Sequence, residues 1–374
     1  MLQPLPTLSG LPPAIHGARD YSELADLGLT PDRVIDFSTN SNPYGPHPSV
    51  LEAVAAAVNS DTLANYPDRD CLAVRAAIAA AEKLSEDTLL PGNGTLELIQ
   101  LIALAFVRPG SRHLVLAPTF GEYARAIQLL GGQVHKYQYP ADNNSLHFDP
   151  EAVATTIRRL QPEGIWLCNP NNPTGQQWTA AELAHLRAAD PSQRALWVID
   201  ESYRYFAAHP TPLDGWSEGE NIIILRSLTK DQALAGLRLG YAMATPTLIA
   251  ALRAVQPTWS VNSLAQVAGV AALQAQVLAW RQHSLTCLRQ HAADLWAGLS
   301  NLDFEVLPTA TTYGLVKVDN AADFRRQLLI RGLQVRDCAS FGLPQHIRIA
   351  TRRPAENEQL LTTIKLQKES ARQC

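Results

Sequence analysis

The sequence predicts an α/β fold: a mostly parallel sheet covered on both faces by helices, followed by a smaller α+β domain. Two observations carry this. Short runs rich in Val, Ile and Leu, apolar on both faces, alternate with helical patterns through the middle of the chain, as buried parallel strands require. After Pro257 the pattern changes to one long helical stretch followed by shorter strand candidates.

In chain order, the first 45 residues are rich in proline and hold one clear strand candidate, Val34 to Phe37. They read as an arm, residues 1–45, packed on the smaller domain. Residues 46–260 form the large domain, with strand candidates His113 to Ala117, Gly164 to Cys168, Ala195 to Asp200, Ile222 to Arg226 and Leu237 to Met243. Residues 261–374 form the small domain. It opens with a long connecting helix, roughly Ser263 to Leu299, and continues through Phe304 to Leu307, Tyr313 to Val318, His346 to Ala350 and a terminal helix.

The chain has 374 residues, 46% of them hydrophobic, which is enough to bury a large core. Its 31 basic and 35 acidic residues are spread evenly and give a net charge of -4. That balance offers no footprint for nucleic acid or an anionic membrane, so a small-molecule substrate is expected. Five cysteines, far apart and without a CxxC pair, read as free thiols in a reducing compartment rather than as a metal site. The amino end lacks a basic segment followed by an apolar run, and no stretch approaches ~18 apolar residues. A cytoplasmic location is expected.

In a parallel sheet, ligands bind at the carboxyl ends of the strands, and five segments near strand ends stand out. They are PGNGTLEL (Pro91 to Leu98), NPNNPTG (Asn169 to Gly175), VIDESY (Val198 to Tyr203), SLTK (Ser227 to Lys230) and GLRLGY (Gly236 to Tyr241). Lys230 has the setting of a lysine that forms an imine, because desolvation near positive charge lowers an amine's pKa. Ser227 and Arg238 flank it, so a hydroxyl and a guanidinium can converge on one anion. Gly94 and Thr95 open a helix candidate whose free N–H groups suit a phosphate. Taken singly, a helix cap is the better explanation of Thr95, a turn of Gly92 and Gly94, and a surface ion pair of Arg238. Asp200 ends an apolar strand, where an acid requires a partner; a pyridinium N–H, an N-cap and a structural ion pair all qualify.

Together these motifs resemble the fold-type I pyridoxal-phosphate (PLP) enzymes of the class I/II aminotransferase group, over about Asp36 to Arg353. The resemblance implies a large domain with a mostly parallel seven-stranded sheet and a small α+β C-terminal domain. It implies that Lys230 carries PLP as a Schiff base and that Asp200 pairs with the ring nitrogen. Asn172 and Tyr203 would bond the phenolic oxygen, while Gly94, Thr95, Ser227 and Arg238 hold the phosphate. Tyr66, in NYPD, matches the tyrosine that reaches the cofactor phosphate from a neighbouring subunit, which implies a homodimer with shared sites.

At the substrate end, Arg336 and Arg348 lie twelve residues apart on neighbouring strand candidates. Two planar guanidinium forks suggest a substrate with two anionic groups. The segments HGARDYSEL, DFSTNSNPYG, RDCASFGL and IRIATRRPAEN look most like the threonine-phosphate decarboxylases of cobalamin biosynthesis. These closely resemble the histidinol-phosphate aminotransferases, which are the alternative. By that resemblance His16, Asn40 and Arg336 would bind the substrate phosphate and Arg348 the α-carboxylate. HGA in place of the usual HGG, and Tyr44 in place of Leu, lean toward the aminotransferases. A non-catalytic PLP-binding module is the remaining alternative. Such proteins usually add a DNA-binding region, for which the sequence has no spare basic helix.

Overall fold

The computed structural model describes residues 6–8, 11, 15–138, 146, 148–190, 192–213 and 215–372. Twelve strands occur among them: β1 Ile35–Asp36, β2 Leu89–Gly92, β3 Arg112–Leu116, β4 Gln133–Tyr137, β5 Gly164–Cys168, β6 Leu196–Asp200, β7 Ile222–Ser227, β8 Gly240–Met243, β9 Tyr313–Lys317, β10 Leu333–Gln334, β11 Arg336–Asp337 and β12 His346–Ala350. Seven form the large sheet, in the order β2-β8-β7-β6-β5-β3-β4. β3 to β7 pair in parallel, and β8 runs antiparallel to both β7 and β2.

Both sheet edges lie outside the expected strands, for physical reasons. Pro91 within β2 removes a ladder donor, which an edge strand tolerates. β4 is largely exposed and polar at Gln133, His135 and Lys136, so it lacks the apolar run of an interior strand. The interior strands β5, β6 and β7 are buried at every position. One face of the sheet packs in a core containing Leu114, Ile165, Trp197 and Ile224, and the other in a core containing Val115, Trp166, Val198 and Ile223.

A smaller three-stranded sheet, β11-β12-β9, is antiparallel, and β1 pairs with β10 in parallel. Ile35 of β1 packs with Phe37, Leu295, Leu299 and Ile347, so the early chain shares a core with the late one.

The long helix expected over Ser263 to Leu299 is two helices, Ser263–Ala272 and Ala275–Asn301, meeting at 77°. No Pro or Gly marks the break. The small face Ala265, Ala268, Gly269 and Ala272 seats the first helix against Pro48–Ala57 and Leu72–Glu82, and the second leaves in another direction. Phe304 to Leu307 runs beside β9 but forms only the isolated bridge Val306–Val316, with Pro308 ending the pairing.

Among the described residues no single helix is long and apolar enough to cross a membrane, and no group of three or more His, Cys, Asp or Glu is arranged to hold a metal ion.

His113 on β3 makes one pH prediction. It is buried, accepts from Trp166 Nε1 at Nδ1 (3.3 Å) and meets Ser111 Oγ at Nε2 (2.9 Å). Burial pulls its pKa from 6.5 down to about 4. Between those values the unfolded chain binds a proton that the folded one refuses. The stabilisation is therefore present above the ordinary value and lost as pH falls toward the folded one, by about 3 kcal/mol at most. Denaturant unfolding from pH 7 to 4 should show a shallower loss in His113→Asn than in the wild type. Parallel curves would mean that the folded protein accepts the proton.

Candidate active site

β3, β5, β6 and β7 point their carboxyl ends to one edge of the sheet, and the order reverses there, because β4 and β5 lie on opposite sides of β3. A reversal of this kind opens a crevice between diverging loops. The crevice is a cavity of about 1030 Å³. His16, Asn40, Thr95, Asn172, Asp200, Tyr203, Lys230, Arg238 and Arg348 line it together, although they span most of the chain.

Lys230 follows β7 after Leu228 and Thr229. Its carbonyl accepts from the Asn42 N–H at 2.9 Å and from Ser41 Oγ at 3.3 Å, which pins the loop to the early chain. The side chain is partly accessible because it faces the cavity, yet it lies deep in the protein. Burial, with the Arg348 and Arg238 guanidinium groups nearby, pulls its amine from 10.5 down to about 8. About a tenth of this lysine is thus unprotonated and nucleophilic at pH 7, far more than of an ordinary lysine.

Asp200 ends β6 and is buried. Ser202 N–H donates to Oδ1 at 2.8 Å and the Tyr123 hydroxyl to Oδ2 at 2.7 Å. Burial pushes the carboxyl above its ordinary value, and the Ser202 and Tyr123 bonds offset that only in part. A dry carboxylate fixed by two donors suits a cationic N–H approaching from the cavity.

Asn172, after β5, lies 3.4 Å from the Tyr203 hydroxyl through Nδ2, and its Oδ1 accepts from Arg348. Burial drives the Tyr203 phenol up, so it stays a hydroxyl and can donate.

Arg238 sits at φ +61°, a strained backbone for a side chain of this size. Its guanidinium packs against Gly94, itself at φ +73°, where an added Cβ would stand 2.7 Å from Nη2. Gly94 opens the helix Gly94–Phe106, and Thr95 beside it lies 3.4 Å from the Ser202 hydroxyl. Helix terminus and guanidinium therefore meet at one point, as an anion site requires.

Other expected residues are placed differently. Ser227 is buried, its hydroxyl 2.6 Å from Thr229 Oγ1, and Thr229 lines the cavity there. Tyr66 stands outside the cavity, 76% exposed and stacked on Trp259 of the same chain with ring centroids 4.1 Å apart. Arg336 is buried beside the cavity, donating to the Ile15 carbonyl (2.9 Å) and Ser340 Oγ (2.7 Å). It stands opposite Arg348 in the β11–β12 register.

Sequence reasoning missed Tyr123, Ser202 and Glu122. Tyr123 and Glu122 belong to PTFGEYARA, the loop and first helical turn after β3, whose position at a strand's carboxyl end was the available signal.

The model of the class I and II aminotransferases matches residues 32–364. The chain belongs to that family. Among its relatives, the histidinol-phosphate aminotransferase of Symbiobacterium thermophilum is 34% identical over 345 residues, 91% of each chain. The threonine-phosphate decarboxylase of Salmonella typhimurium is 33% identical over 359 residues, 94% of this chain and 95% of that one. The fold matches the histidinol-phosphate aminotransferase of Sinorhizobium meliloti, solved in complex with pyridoxal-5′-phosphate. The TM-score is 0.85 at 23% identity, over 98% of this chain and 97% of that one. The protein is thus a PLP-dependent enzyme of fold type I.

The residues present fit that cofactor. The Gly94–Arg238 corner would take a phosphate, Asp200 a ring N–H, Asn172 and Tyr203 a phenolic oxygen, and Lys230 an aldehyde carbon. When bound, PLP supplies an electron sink for the bond broken at the substrate's Cα. Asp200 would hold the proton at the ring nitrogen, and Lys230 Nζ would carry a proton at Cα.

Proposed function

We propose that the enzyme decarboxylates L-threonine O-3-phosphate to aminopropanol phosphate, and that the residues assigned above act in the roles given. The single observation carrying this is the placement of the two arginines. Arg348 reaches Asn172 and depresses the Lys230 amine, so it lies where a carboxylate on the reacting carbon belongs. Its partner across the register, Arg336, lies toward Ile15 and Ser340, beside the His16 segment. Asn40 supports a second polar anchor, because its buried side-chain amide lines the cavity close to Tyr203. A substrate with a carboxylate on Cα and a phosphate on the next carbon suits this pair.

When bound, PLP would weaken only the Cα bond whose electrons overlap its ring, so the orientation of the substrate would decide the chemistry. Arg348, gripping the carboxylate, sets that orientation.

A second reading, histidinol-phosphate aminotransferase, is favoured by the relatives that carry that name at 34% identity. Histidinol phosphate lacks an α-carboxylate, so both arginines are then free for phosphate. Product analysis decides between them: CO2 from O-phosphothreonine on the first reading, glutamate from 2-oxoglutarate with histidinol phosphate on the second.

The same proposal includes a homodimer in the cytoplasm. Exposed Leu51, Val58, Leu63 and Leu72 accompany Tyr66 in one stretch of chain, an apolar surface that suits a partner copy. Mixing inactive Lys230→Ala with a Tyr66→Ala chain should restore partial activity through hybrid dimers. A fully active monomer would refute the shared site.

A further inference from the structure

Glu122 is a nearly buried carboxylate, its side chain 7% exposed, that no cofactor role accounts for. It opens the helix Glu122–Leu129 at the cavity edge, between the lining residues Gly121 and Tyr123. Its Oε1 lies 2.8 Å from His16 Nε2, while Oε2 is 4.0 Å from Arg125 Nε. His16 also lines the cavity and tilts against Phe120, ring centroids 5.4 Å apart.

The residues around His16 are held from the other side. Arg336 donates to the Ile15 carbonyl at 2.9 Å. An added Cβ on Gly17 would stand 2.7 Å from the Ser38 carbonyl and 3.4 Å from Arg348 Nη2. The segment 15–17 is thus clasped between Glu122 of the large-sheet region and the two arginines of the small sheet. The only hydrogen bond of the His16 ring among the described residues uses Nε2, which leaves Nδ1 for a ligand.

We propose that Glu122 is a positioning residue that fixes the His16 ring so that Nδ1 meets the substrate's phosphate, and thereby sets the preference for phosphorylated substrates. The inference rests on the phosphorylated-substrate reading above. With a carboxylate at Nε2 and a phosphate at Nδ1, both nitrogens face acceptors, and an imidazolium satisfies both. A carboxylate behind a histidine orients the ring in the same way behind metal-bound histidines. Without His16, the same carboxylate would face the phosphate directly and repel it. Glu122 therefore helps only through His16.

A carboxylate in a first helical turn also suits the helix dipole, so the test reads substrate selectivity. In PLP-loaded Glu122→Gln, the ratio of kcat/KM on O-phosphothreonine to that on threonine should fall roughly tenfold, the scale of one charged hydrogen bond. Calorimetric binding of inorganic phosphate to the holoenzyme should weaken by a similar factor. Glu122→Asp, which keeps the charge, should recover part of the loss. The double variant with His16→Ala should be no worse than His16→Ala alone, because the two act in series. An unchanged ratio in Glu122→Gln, or losses that simply add in the double variant, overturns the proposal. A wild type that prefers histidinol phosphate overturns the decarboxylase reading alone. The histidinol phosphate to histidinol ratio and the phosphate calorimetry then decide the role of Glu122.

Discussion

Lys230→Ala leaves a protein that binds PLP without holding it covalently, and its turnover falls by roughly 10²–10⁴-fold, the scale of losing a positioned proton carrier. The wild type should absorb in the visible, and borohydride should fix the cofactor on the peptide containing Lys230. The variant yields no fixed cofactor. The lowered amine adds a signature in pH. An amine attacks an aldehyde only when unprotonated, so covalent uptake of PLP by the cofactor-free protein should accelerate as pH rises through about 8, then level off. An ordinary exposed lysine would go on accelerating toward pH 10. A fixed cofactor on any other lysine would sink the assignment.

The sequence made the interior of the large sheet legible because β5, β6 and β7 are buried on both faces and must be apolar throughout. Its edges were not legible. β2 carries a proline and β4 is polar, and at an edge the local signal weakens because one side of the strand has no partner. The break at Leu273 was hidden for a different reason. Local propensity there favours continuation, and only the packing of the Ala-rich face against two distant helices dictates the turn.

Motif residues at or shortly after the ends of strands, such as Asp200 and Lys230, could be placed from the sequence, since strand and loop together determine their position. Tyr123 and Glu122 were invisible in their roles because each is defined by a partner far along the chain, Asp200 in one case and His16 in the other. Ser227 lies in a motif that resembles a phosphate site, yet its hydroxyl is engaged with Thr229. Spacing alone does not say which of two neighbouring hydroxyls faces the ligand.

Replacing the two arginines singly should give different patterns of loss. A hydrogen bond to a charged group contributes roughly 1.5–3 kcal/mol, so removing either guanidinium should cost about ten- to a hundredfold or more in kcat/KM. Arg348 donates to Asn172 and to the Ser38 carbonyl, so Arg348→Ala disturbs the cofactor side as well as any carboxylate. It should penalise O-phosphothreonine and threonine alike, since both carry the carboxylate. Arg336 touches Ile15, Ser340 and the Phe341 ring, all away from Lys230. Arg336→Ala should therefore lower the ratio of O-phosphothreonine to threonine activity, because only the former presents a phosphate. Its Nε is buried without a hydrogen-bond partner among the described residues, as a donor kept for a ligand would be. Arg336→Lys keeps the charge but loses the fork, and should recover less than half of the lost free energy if the phosphate is gripped bidentately. Equal losses on both substrates in Arg336→Ala would make it a support for the Ile15 segment, and the two-anion reading of the site would fall.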